Sequence, residues 1–567
     1  MRHDAELSCD VLVAGSGAGA LATAITATLH GLDVIVAEKA PVFGGTTALS
    51  GGGMWIPGNP LAARIGIADS PDRALTYMRE EAGNHLDLDL ARAFLAHGSR
   101  MVSFFEERTA MRFLLAPTFP DYHPDRPGAS QGGRSLYAAP CSGRILGEHL
   151  SKLRPPLAEL TLFGLVTVSG EDVGHFLKAT RSPRSALHVA RIFGGHLRDV
   201  LRHGRGMRLT NGNALAARLG RTLFDLNVPL WLSSPVKELD FRQGCVRGAL
   251  VEHEGRVVRV AARRGVVLAC GGFPHSEEMR ERLFPHVRNG QGHHSPAPTT
   301  NRGDGLVFGT AAGGTLQKDL VHAAAWVPVS RVPRRDGSFG LFPHFIDRAK
   351  PGMIAVGLDG RRFVNEANSY HDFVPPMLAR SGDADEAAAF LLCDHRAIRR
   401  YGLGIAKPFP LPLTPYLRSG YLHRGRSLSS LAEQIGLDVA TLNDTVARFN
   451  EGAKHGRDPE FGKGETAYNR FMGDADHRPN PCLAPLEMAP FYAVRLVIGD
   501  LGTFAGLRTD PQTRVLDTEG RPVPGLHAVG NDMASVMGGA YPGGGVTLGP
   551  AMTFGYVAGC QLAGATP

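Results

Sequence analysis

Residues 10–20 read DVLVAGSGAGA. The apolar run 11–14 predicts a buried strand. Gly15, Gly17 and Ala20 follow it in a GxGxxA spacing, with Gly19 between them, where a small-residue stretch reaching His30 predicts a helix. Glycines there allow a tight turn and let a pyrophosphate approach the free N–H groups and positive dipole end of that helix. A second apolar run, LDVIVAEK (32–39), predicts the next strand, which ends at Glu38, where a carboxylate accepts hydrogen bonds from a ribose diol. Strand, glycines, helix, strand and acid in this register predict a Rossmann-like dinucleotide-binding unit.

The same punctuation recurs towards the other end of the chain. GVVLACGGF (265–273) and GLHAVGN (525–531) each read as a buried strand ending in glycine. Between them lie about 200 residues richer in proline and aromatics, so 1–289 and 487–567 read as one discontinuous α/β domain and 290–486 as an inserted α+β domain that caps it. At 567 residues, 43% hydrophobic and 20% charged, the chain is neither disordered nor collagen-like. Its 71 glycines exceed the usual share of ~7% and fit close wrapping around a large ligand. Seven dispersed cysteines without a CxxC argue against a disulfide framework or a zinc site, and no metal is expected. The start MRHDAELSCD lacks a signal-peptide pattern and no apolar run nears the ~18 residues that span a bilayer, so a cytoplasmic location is expected.

One stretch within an insert at about 141–208 stands apart. From Lys178 to Arg208 there are eight basic residues against the single acid Asp199, an excess equal to the formal net charge of +7 of the whole chain. A helix over 184–202 places Arg184, Arg191, Arg198 and Arg202 on one side and Ala186, Val189, Ala190, Phe193, Leu197, Val200 and Leu201 opposite. Such a basic amphipathic helix suits peripheral contact with an anionic membrane through 178–205. With few interleaved aromatics and no recognisable binding module, nucleic acid is not an expected partner.

GGTTALSGGG (44–53) adds small and hydroxyl residues, Gly45, Thr46, Thr47, Ser50, Gly51 and Gly52, able to line a second phosphate and a flavin ring, which a plain nicotinamide site does not need. EKAPVFGGTTALSGGGMWIPGN (38–59), GVVLACGGF, GRRFVNE (360–366) and GLHAVGN together resemble the flavoproteins of the fumarate reductase and 3-ketosteroid dehydrogenase superfamily. The resemblance runs along nearly the full chain except 141–208. It implies non-covalent, extended FAD held by the residues above together with Lys39, Gly271, Asp304 and Leu548. It places Val236 near the adenine, Gly530 and Asn531 near the ribityl chain, and the backbone around Val546 at the pyrimidine edge of the flavin. Arg361 and Arg362 read as supports of a strand end.

Members that reduce dicarboxylates carry an arginine in the C-terminal glycine-rich turn, because a carboxylate calls for a bidentate cation. Here that turn, from Met537 to Phe554, has no arginine and offers Tyr541-Pro542-Gly543-Gly544-Gly545. A phenol and a backbone N–H form a two-donor hole for a ketone oxygen that becomes an enolate. The turn resembles that of 3-ketosteroid Δ1-dehydrogenases, as do FPDYHPDRPG (119–128) with Tyr122 and NEANSYHDF (365–373) with Tyr370. The resemblance implies that Tyr541 and the Gly545 N–H hold the C3 ketone, Tyr370 removes a proton from C2, Tyr122 assists, and flavin N5 receives hydride from C1. A free phenol has a pKa of ~10, so Tyr370 needs help to act as a base. The rival readings are a Δ4-dehydrogenase, a fumarate- or urocanate-type reductase, and a flavin-bearing lipid-surface protein without redox chemistry. An external electron acceptor is expected, a quinone being compatible with a membrane location.

Overall fold

The computed structural model describes residues 5–161, 170–382 and 386–567, so 162–169 of the insert lie outside the described residues. Strand β1 (Ala5–Ala14), helix α1 (Ala18–Leu29) and strand β2 (Val34–Ala37) form the unit expected from the opening motif. β1 pairs in parallel with β2 on one side and with β3 (Arg256–Leu268) on the other, and Pro522–Ala528 continues the sheet in parallel beyond β3. Val11, Leu12 and Val13 are fully buried, which is why this run is continuously apolar instead of alternating. One cover is α1, packed on the C-terminal helix Leu548–Ala563. The two helices approach so closely that a Cβ on Gly555 would lie 2.5 Å from the Gly19 carbonyl. Small residues at this crossing therefore serve helix packing.

The second sheet has six strands, all antiparallel: Ala324–Pro333, Phe339–Pro343, Met353–Gly357, Ala388–Cys393, His423–Gly425 and Phe491–Thr503. The last of these corrects the sequence reading, which returned the chain to the first domain at 487. Phe491–Thr503 pairs with three strands of the second sheet, and its near-continuous apolar run reflects that central position. Arg362 is buried, bidentate to both Glu366 and Asp458, and supports this unit as expected, whereas Arg361 is exposed.

The base of the insert is closed by pairing of Cys141–Ser142 with Arg208–Leu209. Its basic helix spans Pro183–His203, one residue longer at each end than the sequence pattern, with Ser182 capping the start and Gly204 in the left-handed conformation after the end. No helix among the described residues is long and apolar enough to cross a membrane.

Candidate active site

The parallel strands all stop at one edge of the first sheet, and the segments that leave them line a cleft. Gly15 to Ala20 follow β1, Glu38 and Lys39 follow β2, Ala269 to Gly271 follow β3, and Gly530 and Asn531 come just after Pro522–Ala528. This is the crevice at the carboxyl ends of strands where open α/β sheets bind ligands. Gly15 has a φ of +111°, and a Cβ there would come within 2.2 Å of the Ala269 carbonyl, so only glycine fits. Gly17 precedes α1 and has no side chain to cap it; the Ala18 N–H donates to the Thr47 hydroxyl at 2.9 Å, and the next N–H groups of the first turn are left to an anion. Glu38 is buried and accepts from the Ser16 hydroxyl at 2.5 Å and the Ala40 N–H at 2.7 Å. Burial raises its pKa despite those donors. A cradle of glycines, a helix terminus with N–H groups left free beyond Ala18, and a buried carboxylate fit the two phosphates and ribose of FAD.

Of the residues singled out from the sequence, Gly15, Gly17, Gly19, Ala20, Glu38, Lys39, Gly45, Thr46, Thr47, Ser50, Val236, Gly271, Asp304, Gly530, Asn531 and Leu548 line this cleft. Lys39 and Asp304 spend their charges on one another at 2.7 Å. Gly51 and Gly52 do not line it. A Cβ on Gly52 would clash with Asn211 at 2.4 Å, so this glycine serves the approach of the helix Asn211–Asp225. Val546 lines a smaller adjoining crevice that shares Gly530, Asn531, Thr547 and Ala551 with the cleft and adds Phe504. Arg154 and Asn301 also line the cleft and were not legible in the sequence, since neither sits in a glycine motif.

Phe504 leads to the tyrosines, its ring 6.0 Å from that of Tyr541. The three phenols meet in series: Tyr122 donates to Tyr370 at 3.1 Å and Tyr370 donates to Tyr541 at 2.7 Å. The rings of Tyr122 and Tyr541 stack in parallel with centroids 5.6 Å apart. Tyr468, unmarked by any motif, is a fourth buried tyrosine, 4.7 Å from Tyr122. Burial, chiefly, pushes the Tyr122 and Tyr370 pKa values well above the ordinary phenol value and that of Tyr541 up to about 12. All three are neutral donors at neutral pH.

Local packing explains why each phenol is there. Tyr541 opens a turn whose glycines admit neighbours: a Cβ on Gly543 would meet the Trp55 ring at 2.6 Å, and one on Gly544 would meet Phe119 at 2.6 Å. Gly545 has a φ of +106°, its carbonyl accepts from Trp55 and Gly549, and among the described residues its N–H has no hydrogen-bond acceptor. The Tyr122 loop is pinned by Asp121, which accepts from the Trp55 indole at 2.8 Å and pairs with buried Arg134 at 2.7 Å. Tyr370 is the first residue of the helix Tyr370–Ser381, capped by Ser369. His371 cannot act as a charge beside it: burial, then its neighbour His322, depress its pKa to about 3.

A parallel sheet with a dinucleotide crevice, met by the Tyr122 loop, the Tyr541 turn and the helix that begins at Tyr370, fits an FAD-dependent oxidoreductase acting on a CH–CH bond. The chain belongs to the FAD binding domain family, matched over residues 10–548. It is 41% identical to the 4-oxocyclohex-2-ene-1-carboxylate 5-dehydrogenase of Sinomonas cyclohexanicum, covering 99% of this chain and 95% of that one. It is 35% identical to the 3-oxosteroid 1-dehydrogenase of Mycobacterium tuberculosis, covering 98% of both. The crystal structure of 3-ketosteroid delta1-dehydrogenase from Sterolibacterium denitrificans in complex with 1,4-androstadiene-3,17-dione superimposes with a TM-score of 0.91 at 36% identity, covering 98% of this chain and 99% of that one.

Proposed function

We propose that the protein dehydrogenates a 3-ketosteroid between C1 and C2, leaving a ring double bond conjugated with the carbonyl. The coarser reaction is flavin-dependent dehydrogenation of a cyclic ketone. Tyr541 and the Gly545 N–H donate to the C3 oxygen, which draws electron density from C2 and acidifies its proton. Tyr370 takes that proton, and Tyr122, donating to the Tyr370 oxygen, favours the form that can take it. FAD held by the cleft residues would supply the acceptor for the hydride that leaves C1, and an external oxidant, for which a quinone is chemically suited, would be needed to complete turnover.

The observation that carries this reading is the series of three phenols that ends at Tyr541, in a turn that lacks the guanidinium a dicarboxylate would require. The likeness to a steroid-bound enzyme adds to it. A second reading, a 4-oxocyclohexene carboxylate as substrate, is favoured by the 41% relative. Anaerobic mixing with each ketone tests the two readings. A panel of 3-ketosteroids is expected to bleach the flavin and yield a C1–C2 double bond. Bleaching by the carboxylate alone would overturn the steroid assignment, and a C4–C5 product would make the enzyme a Δ4-dehydrogenase.

Membrane contact through 178–205 belongs to the same reading. On the helix Pro183–His203, Leu187, Leu197 and Leu201 are 52%, 60% and 78% exposed, and Arg184, Arg191, Arg198 and Arg202 are exposed as well. An apolar stripe left in water beside arginines suits the headgroup region of an anionic bilayer. At ~1 kcal/mol per basic residue near the surface, Arg191→Glu, Arg198→Glu and Arg202→Glu together are expected to weaken binding to phosphatidylserine vesicles at least ~10²-fold. Unchanged co-sedimentation would remove the membrane from the reading.

A further inference from the structure

We propose that His123 is a positioning residue of the tyrosine site: its imidazole, held between Glu81 and Asp372, fixes the loop bearing Tyr122 against the helix bearing Tyr370. The proposal rests on the reading that these phenols act in series. Nδ1 of His123 lies 2.9 and 2.8 Å from the two oxygens of Glu81, and Nε2 lies 2.9 Å from Asp372. Carboxylates facing both ring nitrogens require a proton on each, because a neutral imidazole has only one N–H to donate. The group is thus a cation that joins two anions from different parts of the chain. Glu81 belongs to the helix Pro71–Ala82, and Asp372 lies two residues after Tyr370 in the first turn of its helix.

The backbone beside His123 makes the third tie. The Tyr122 N–H donates to the Pro542 carbonyl at 3.0 Å, immediately after Tyr541. Tyr77, on the same helix as Glu81, donates its hydroxyl to that carbonyl at 2.7 Å and accepts from the His123 N–H at 3.2 Å. The dipeptide Tyr122-His123 therefore touches both other tyrosine segments, one through its main chain and one through the imidazole. Without the imidazole, the Tyr122–Tyr541 side keeps its tie and the Tyr370 helix loses one. Burial opposes the charge on His123, but Asp372 and Glu81 outweigh it and raise the pKa to about 10, so the bridge is intact throughout the neutral range. Arg126, 3.2 Å from Glu81, and Ser369, donating to Asp372 at 2.8 Å, hold the two carboxylates in place.

The test uses the FAD-loaded full-length enzyme, with the flavin-reduction rate, the substrate Kd and hydrogen exchange measured on His123→Ala, His123→Gln, Asp372→Asn and Tyr370→Phe. For His123→Ala we expect reduction slowed about 10²-fold with Kd within about threefold, as a displaced reacting group requires. His123→Gln, which keeps hydrogen bonding without the charge, is expected to recover part of the rate. Exchange should quicken at 119–126 and 369–374 and stay unchanged at 10–38. Parental reduction rates in both His123→Gln and Asp372→Asn would overturn the proposal, as would exchange quickened equally at 10–38, which marks a general loss of structure. If Tyr370→Phe also reduces flavin at the parental rate, the reading of the phenols has failed. If Tyr370→Phe alone is slow, only the bridge has failed.

Discussion

Tyr541→Phe is expected to slow anaerobic flavin reduction by the substrate ketone about 10²- to 10³-fold, the usual cost of one donor to a developing oxyanion. The substitution deletes one oxygen and keeps the ring, so the parallel stacking on Tyr122 and the packing against Phe504 survive. The expected loss is therefore in the chemical step, not in folding. Burial raises the Tyr541 pKa to about 12, so its hydroxyl stays a neutral donor up to strongly alkaline pH. The ketone accepts only weakly in the ground state and much more strongly as charge moves onto its oxygen. Substrate Kd should hence change far less than the reduction rate. Stopped-flow measurement of both separates the outcomes. A rate within about twofold of the parent would mean that Tyr541 does not hold the carbonyl.

How much of this was legible in the sequence follows from the range of the interactions involved. The β1–α1–β2 unit was, because a tight turn, a helix start and a strand-ending acid all lie within 29 residues, Asp10 to Glu38. The three tyrosine segments were legible one by one through resemblance, but their order of hydrogen bonding was not, since Tyr122, Tyr370 and Tyr541 meet only in the folded chain. The place of Phe491–Thr503 was misread because buried strands of either sheet are equally apolar, and only pairing assigns them. His123 stood in plain view beside Tyr122. Its partners, Glu81 and Asp372, are 42 and 249 residues away, so no local pattern marks it. Tyr468 likewise lies in a segment without a recognisable motif.

Tyr370→Phe is expected to have the largest effect, a loss of about 10²- to 10⁴-fold in reduction rate, because it removes the group proposed to accept the substrate proton. The parent enzyme's pH dependence should carry the same signature. Burial, chiefly, holds the Tyr370 pKa well above the ordinary phenol value, so the proton-accepting phenolate is a minor form at neutral pH. Its population rises tenfold per pH unit below that pKa, and the reduction rate should climb with pH through the neutral range without levelling off before pH 10. Tyr122 donates to the Tyr370 oxygen and so stabilises the phenolate. Tyr122→Phe should therefore push the Tyr370 pKa further up and lower the rate at every pH on the rising limb. A pH-independent reduction rate between 6 and 10, or a Tyr370→Phe enzyme that keeps the parental pH profile, would take the proton-accepting role away from Tyr370.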